Sequence, residues 1–209
     1  GVGDSNNNIL WLEADDLSLN NGDPVANWPD QSGNNNDATQ GTPSNQPLFN
    51  ISASNNRAAL TFDGLNDFFN LTDHIETDAI TFFAVFQTTV SNARTLITTQ
   101  NHLIAHQNQR IRASYINPFS RVEALAPAGG NYYTIDISTG SDSLSGSLSV
   151  RTGADSNTGS RTQFRSNSSS EIGIFNSSNY LNGNLCEMII FNEDLNSAKR
   201  NIISSSLSA

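Results

Sequence analysis

The chain has 209 residues, of which 36% are hydrophobic and only 14% charged, and its formal net charge at pH 7 is -10. This acidity, with Lys199 as the single lysine, excludes a nucleic-acid-binding surface, because phosphate contacts need clustered Lys and Arg. No run approaches the roughly 18 apolar residues of a membrane-spanning helix, so we expect no insertion into a membrane. Asn, Ser, Thr, Gln and Asp carry most of the polarity, which is typical of a β-protein with many turns.

Residues 1–8 are interpreted as a linker and residues 9–209 as one domain, with Ile9–Leu12 as the first strand. A turn-rich stretch then extends to about Pro47. Further short strands, each bounded by Gly, Pro, Asn or Ser, are predicted at Ala58–Phe62, Phe68–Leu71, Ile80–Gln87, Thr95–Thr99, Leu103–His106, Gln109–Tyr115, Val122–Ala126, Tyr132–Ile137, Leu144–Arg151, Glu171–Ile174 and Leu185–Phe191. This close spacing indicates an all-β, two-sheet antiparallel sandwich. The strand at 80–87 is apolar on both faces, as expected of a central strand that is covered on both sides.

One helix is predicted, near the end of the chain, over Leu195–Ile203. Asn196 or Ser197 is its expected N-cap, and Leu195, Ile202 and Leu207 form a thin apolar stripe. The only cysteine, Cys186, lies in an apolar run and is expected to pack as a small hydrophobic residue.

Three turns can be predicted from local chemistry. The segment 30–34 (DQSGN) combines side chains that bind backbone amides with a glycine that can adopt positive φ. Asp63-Gly64 should end a strand in a tight turn, and Asn182-Gly183 is a hairpin-type signal before the last strand. Trp11 and Trp28 precede the first of these turns and should bury large areas at the edge of the sandwich.

Three segments carry a family resemblance. The first combines Leu10-Trp11-Leu12-Glu13-Ala14-Asp15-Asp16-Leu17 with the run 25–40 (VANWPDQSGNNNDATQ). The second is 59–69 (ALTFDGLNDFF), and the third joins Ile172-Gly173-Ile174-Phe175 to 181–195 (LNGNLCEMIIFNEDL). In this order they resemble the opening, middle and closing patterns of laminin-G-like domains in the concanavalin A-like lectin/glucanase superfamily. The resemblance covers residue 9 to about 207 and implies a jelly-roll fold, although residues 100–165 match the family poorly.

Four acidic residues are candidate calcium ligands: Asp15, Asp30, Asp63 and Glu187. They lie at predicted loop or strand ends beside Asn side chains and carbonyls, and Ca²⁺ takes about 6–8 such oxygens. Related modules often hold one ion, so we predict one structural Ca²⁺. The alternative is that these carboxylates cap turns.

Aromatic and basic residues in the middle of the chain are candidate glycan contacts. Tyr132 and Tyr133 follow Gly129-Gly130-Asn131, and strand alternation should expose at least one of the two rings. Tyr115, Arg110 and Arg112 share one predicted strand, in which the two arginines lie on one face. The alternative is that the aromatic residues pack in the core or at its rim.

Two kinds of enzyme occur on sandwiches of this type. Glucanases with this sandwich need paired carboxylates in an E-x-D-x-x-E pattern, but the positions two and five after Glu187 are Ile189 and Asn192. Jelly-roll lyases need a His or Tyr as base and an Arg or Asn that neutralises the substrate's carboxylate. His74, His102 and His106 could serve as the base, but no lyase motif is present. No catalytic residues are therefore assigned.

These features favour a non-catalytic binding or adhesion module of a larger secreted or surface protein, with a glycan or cell-surface ligand as partner. A structural spacer domain of a surface or virion protein, without a small ligand, is the alternative, and a polysaccharide lyase is a third hypothesis.

Overall fold

The computed structural model describes the backbone of residues 7–54, 56–77, 80–88, 94–100, 102–107, 110–116, 119–125, 133–139, 148–152, 155–159 and 169–207. It describes side chains for 7–53, 56–77, 80–88, 94–100, 103–105 and 169–207. The predicted strands in the middle of the chain are therefore known by their pairing alone.

Strands dominate the described residues. They are β1 (Asn8–Glu13), β2 (Asn27–Trp28), β3 (Ala38–Thr39), β4 (Leu48–Ser54), β5 (Arg57–Asp63), β6 (Phe69–Leu71), β7 (Ile80–Gln87), β8 (Arg94–Thr98), β9 (His102–Gln107), β10 (Arg110–Ile116), β11 (Phe119–Leu125), β12 (Tyr133–Thr139), β13 (Leu148–Thr152), β14 (Asp155–Gly159), β15 (Glu171–Ile172) and β16 (Asn182–Phe191). Two short 3₁₀ helices span Ala14–Asp16 and Pro43–Asn45, and one α-helix, α1, spans Ser197–Leu207. In the part of the chain so described, no helix is long and apolar enough to cross a bilayer.

The strands form two antiparallel eight-stranded sheets. Sheet A has the order β14-β13-β12-β7-β16-β5-β4, with β1 also paired to β16, and sheet B has the order β11-β10-β9-β8-β15-β6-β3-β2. The predicted all-β jelly-roll sandwich with a short C-terminal helix is confirmed.

The main core lies between the two sheets. Strand alternation sends every second residue of β1, β5 and β7 inward, among them Leu10, Leu60 and Phe82, each fully buried. Sheet B contributes Trp28 and Phe69, whose rings pack 6.2 Å apart. The prediction that Trp28 is buried is thus confirmed, whereas Trp11 lies on the outer face of sheet A and is only half-buried.

A second apolar cluster covers the outer face of sheet A. Phe83 and Val85 of β7 face it, while α1 contributes Leu207, so β7 is buried on both faces as predicted. Asn196 caps the helix, since its Oδ1 accepts a hydrogen bond from the Lys199 backbone N–H at 3.0 Å. The predicted apolar stripe is wrong at Ile202, which is 72% exposed.

The structure of β16 shows that the predicted turn at Asn182-Gly183 is wrong and that Cys186 is buried as predicted. Asn182 and Gly183 do not form a hairpin turn but lie inside β16, paired with Asp63 and Phe62 of β5. A bulge at Cys186 then shifts the alternation, so that Leu185 and Met188, three residues apart, both face the main core. Cys186 itself is buried in the outer cluster, and burial raises the pKa of its thiol to about 12, which makes it unreactive.

The start of β1 and the whole of β4 also differ from the sequence-based prediction. Asn8, assigned to the linker, is 3% exposed and belongs to β1, opposite Phe191. Strand β4 falls immediately after the turn-rich stretch and was not predicted. It is an edge strand whose Leu48 and Ile51 are exposed, so it lacks a clear apolar alternation.

Candidate ligand-binding cleft

The loop 30–37 is built around the Asp30 carboxylate. Its Oδ1 accepts hydrogen bonds from the backbone N–H groups of Trp11 and Ser32, both at 2.9 Å. Its Oδ2 accepts from Ser32 Oγ at 2.7 Å and from Asn36 N–H at 3.0 Å. Gly33 allows the turn with φ of 88°. The turn predicted from the DQSGN segment is confirmed, and Asp30 ties it to β1.

The segment after β6 packs against this loop. Asp73 N–H donates to Asn36 Oδ1 at 2.7 Å, and the N–H of Ile75 donates to Ser170 Oγ at 3.0 Å. Ser170 Oγ also lies 2.9 Å from His74 Nδ1. These bonds hold the His74 ring beside the loop.

A cleft of about 330 Å³ opens between the loop, this segment and the ends of β1 and β16. The described residues that line it are mainly polar: Ile9, Asn34, Asn36, Asp73, His74, Ile75, Glu76, Thr77 and Asn192. Its volume falls at the lower end of the range for small-molecule sites.

Internal hydrogen bonds orient two amides in the cleft wall. Asn34 Nδ2 donates to Asn8 O at 2.9 Å and to Ser32 Oγ at 2.8 Å, so both of its hydrogens are used and Oδ1 is left as an acceptor. Asn36 has the opposite arrangement, because its Oδ1 accepts from Asp73 N–H and its Nδ2 is left as a donor. Asn36 is only 5% exposed, so this donor is held rigidly. The cleft thus offers one fixed acceptor and one fixed donor.

The predicted calcium ligands do not come together as one set. Asp15 and Glu187 meet at Arg57, where Arg57 Nη2 lies 2.7 Å from Glu187 Oε2 and Nε lies 3.3 Å from Asp15 Oδ2. Their remaining oxygens accept from Ala58 N–H and Trp11 Nε1–H. The guanidinium supplies the positive charge at this cluster.

The other two candidates stand apart in separate turns. Asp30 holds the loop described above, and Asp63 Oδ1 accepts from Leu65 N–H at 2.8 Å and Asn66 N–H at 3.3 Å, capping the turn at Gly64. Within the residues whose side chains are described, no three His, Cys, Asp or Glu are grouped as a metal site. The four residues therefore do not fit a shared ion, and bound calcium stays a prediction.

Arg57 and the three carboxylates around it, Glu13, Asp15 and Glu187, form a cluster in which Glu13 has a strongly raised pKa. Burial, followed by the repulsion of Glu187, raises the pKa of Glu13 from 4.5 to about 7. Glu13 Oε1 lies 3.6 Å from Arg57 Nη2, but this attraction is smaller than the opposing effects. The folded protein therefore holds a proton between pH 4.5 and pH 7 that the unfolded chain does not hold.

The contribution of Glu13 to the free energy of unfolding should consequently fall as pH rises from 4.5 to 7, because its raised pKa favours folding only where its carboxyl is protonated. We expect Glu13→Gln to unfold at a Tm about 2–4 °C above wild type at about pH 8, which corresponds to about 1 kcal/mol after allowance for solvent screening. At pH 4.5 the two proteins should unfold together. Calorimetry across this range measures the difference, with Glu76→Gln, an exposed glutamate outside the cluster, as control. An equal pH dependence in wild type and Glu13→Gln would contradict it.

The predicted glycan-binding residues lie elsewhere. Tyr133 pairs with Phe86 at the start of β12 in sheet A, while Arg110, Arg112 and Tyr115 belong to β10 in sheet B. Their side chains, and the whole of Tyr132, fall outside the described residues. All five contacts stay predictions, and the four residues that the structure places in strands lie on two different sheets.

The histidines of the lyase hypothesis are also spread out. His102 and His106 belong to β9, whereas His74 follows β6. Two strands, β8 and β15, lie between β9 and β6 in sheet B. Of the three, His74 is the one among the described residues that line the cleft. Sequence reasoning identified the loop 30–37 by its turn chemistry but missed the cleft, since only the fold brings residues 73–77 to it.

Comparisons with known proteins identify the fold but no family. No protein-family model matches the chain, and no curated protein matches it in sequence. Solved structures do match. Domain 4 of AbnA, a GH43 extracellular arabinanase from Geobacillus stearothermophilus in complex with arabinotriose, has a TM-score of 0.66 at 15% identity, over 94% of this chain and 98% of that one.

Botulinum neurotoxin domains are also similar. The receptor binding domain of neurotoxin D has a TM-score of 0.64 at 13% identity, and the binding domain of neurotoxin DC, in complex with SialylT, has 0.61 at 14%. Each match covers 99% of this chain, which spans about half of the toxin domain, 54% and 52% respectively. At these identities the likeness shows the two-sheet β-sandwich fold alone.

Proposed function

We propose that this chain is a non-catalytic carbohydrate-binding module of a larger extracellular protein, and that its ligand binds in the cleft between the loop 30–37 and residues 73–77. The oriented amide pair of Asn34 and Asn36 is the observation that carries the proposal. A sugar hydroxyl both donates and accepts hydrogen bonds, so a fixed acceptor beside a fixed donor matches its chemistry.

The surroundings of the amides support the same ligand class. Asp73 and Glu76 are exposed in the cleft and can accept hydrogen bonds from hydroxyls, and bonds to a charged acceptor are stronger than neutral ones. Half-buried Ile9 offers an apolar surface to the C–H groups of a sugar ring. Similar solved domains include one in complex with arabinotriose, which adds support at the level of the fold.

Attachment to other domains, adhesion and secretion are parts of the same proposal. They are supported by the likeness to domain 4 of an extracellular arabinanase. This chain covers 98% of that domain. The predicted contacts of Tyr132 and Tyr133 would form a second site, because Tyr133 pairs with Phe86 at one end of β7, whereas Phe191, next to Asn192 of the cleft, pairs with Thr81 at the other end. The laminin-G-like assignment would place the chain among modules with a binding role.

We expect Asn36→Asp to weaken glycan binding by about tenfold or more, because it removes the Nδ2 donor while keeping the acceptor for Asp73 N–H. A glycan array followed by calorimetry with the tightest glycan measures the loss. The control is Asn176→Asp, in the exposed turn before β16. Asn176 is far from the cleft, because the cleft residue Asn192 follows the opposite end of this ten-residue strand.

Two results would count against the proposal. Equal affinity of wild type and Asn36→Asp would remove the ligand from the cleft. Failure to bind any glycan on the array would favour the spacer hypothesis instead.

A further inference from the structure

The cleft wall carries negative charge that no described lining residue offsets. Asp73 and Glu76 are both exposed at its surface, and neither Lys nor Arg occurs among the described residues that line it. His74 is the one basic side chain among them, and its Nδ1 is engaged with Ser170 Oγ. An anionic group in the cleft would therefore meet two carboxylates without a cationic partner from these lining residues.

The loop behind this wall adds to the same field. The carboxylates of Asp30 and Asp37 are held by neutral donors, which are backbone N–H groups, Ser32 Oγ–H and, for Asp37, Asn27 Nδ2 at 3.4 Å. Neutral donors stabilise a carboxylate without cancelling its charge. Lys199, the single lysine, is paired with Glu193 at 3.9 Å, so this pair near Asn192 adds no net positive charge.

We propose that the cleft selects uncharged glycans and rejects those that carry carboxylate or sulfate groups, with Asp73 and Glu76 as the residues that determine this specificity. The inference rests on the proposed function, because it names the ligand class of that same site. Hydroxyls donate to the two carboxylates, whereas the anionic group of a charged sugar is repelled by them.

The size of the effect follows from the separation of the charges. A ligand anion within about 4–6 Å of either carboxylate at a wet surface should bind at least about tenfold more weakly than its neutral counterpart. The discrimination should shrink with added salt, because ionic screening acts over about 8 Å at physiological strength.

The test is an array of glycans in matched neutral and anionic forms, such as lactose with sialyllactose and carboxyl-reduced polygalacturonate with polygalacturonate. Wild type should bind only neutral members. The double variant Asp73→Asn/Glu76→Gln should gain at least tenfold for the anionic member of the bound pair, while Asp16→Asn, an exposed carboxylate outside the cleft lining, should not.

The outcomes distinguish failure of this inference from failure of the proposed function. Binding of anionic glycans that is lost in Asn36→Asp would overturn the specificity but leave the proposed function standing. Neutral preference that is unchanged in the double variant would overturn the roles of Asp73 and Glu76. The absence of binding to every glycan would overturn the proposed function and this inference with it.

Discussion

Gly183→Ala should lower the free energy of unfolding by about 4 kcal/mol, and the Tm by about 8–16 °C. A Cβ built at this position would lie 2.0 Å from Gln87 O and 3.0 Å from Thr88 Cα, both backbone atoms that cannot rotate away. The φ of 151° adds strain for any residue with a side chain. Either β16 or the end of β7 must move, and β7 lies at the centre of sheet A.

Gly41→Ala is the matched control, since a Cβ there would have no atom within 4 Å and its φ is not positive. It should leave the Tm unchanged or raise it slightly. Thermal unfolding followed by circular dichroism compares the two variants. If both unfold at the temperature of wild type, the close approach of β16 to β7 is wrong.

Arg57→Met should cost about 3 kcal/mol and lower the Tm by about 6–12 °C. The guanidinium contacts three carboxylates and donates from Nη1 to Leu207 O at 3.2 Å, so it joins β5 to β1, β16 and α1. Methionine fills a similar volume but leaves Glu187, which is 4% exposed, as a buried carboxylate without its cation.

The double variant Arg57→Met/Glu187→Gln separates the charge from the packing. The glutamine side chain that it introduces in β16 can still accept from Trp11 Nε1, and the buried charge of Glu187 is gone. We therefore expect the double variant to recover at least about half of the lost stability. A double variant no more stable than Arg57→Met would show that packing, and not the ion pair, explains the loss. Chemical denaturation at about pH 8 measures all of the free energies.

Much of the fold could be predicted because its signals are local. The eight residues of β7 and the periodic apolar residues of β5 are sufficient to identify buried strands, and Asn196 has the side chain of a helix cap. The turn at Asp30 could be predicted for the same reason, because Asp, Ser and Gly determine its hydrogen bonds among near neighbours.

The rest depended on contacts between distant residues. From the local sequence, Gly183 indicates a hairpin turn. Only its close contact with the Gln87 backbone shows why a glycine is required inside a strand. Glu187 reads as a cation ligand, and the cation it meets is Arg57, 130 residues away. The cleft depends likewise on Asp73 donating to Asn36 across 37 positions, a pairing with no local signature.

The pairing of β1 with β16 has a consequence for how this chain reaches its native state. Residues 8–13 are synthesised long before their partner in sheet A, which is a strand made of residues 182–191. The hydrogen bonds from Trp11 Nε1 and Arg57 Nη2 to Glu187 can form only after that strand has been synthesised. Contacts of such long sequence separation form slowly, because the intervening loop must close first. The nascent chain should therefore hold β1 without its partner strand until residues 182–191 have been synthesised, and the unpaired strand is exposed to aggregation during that period.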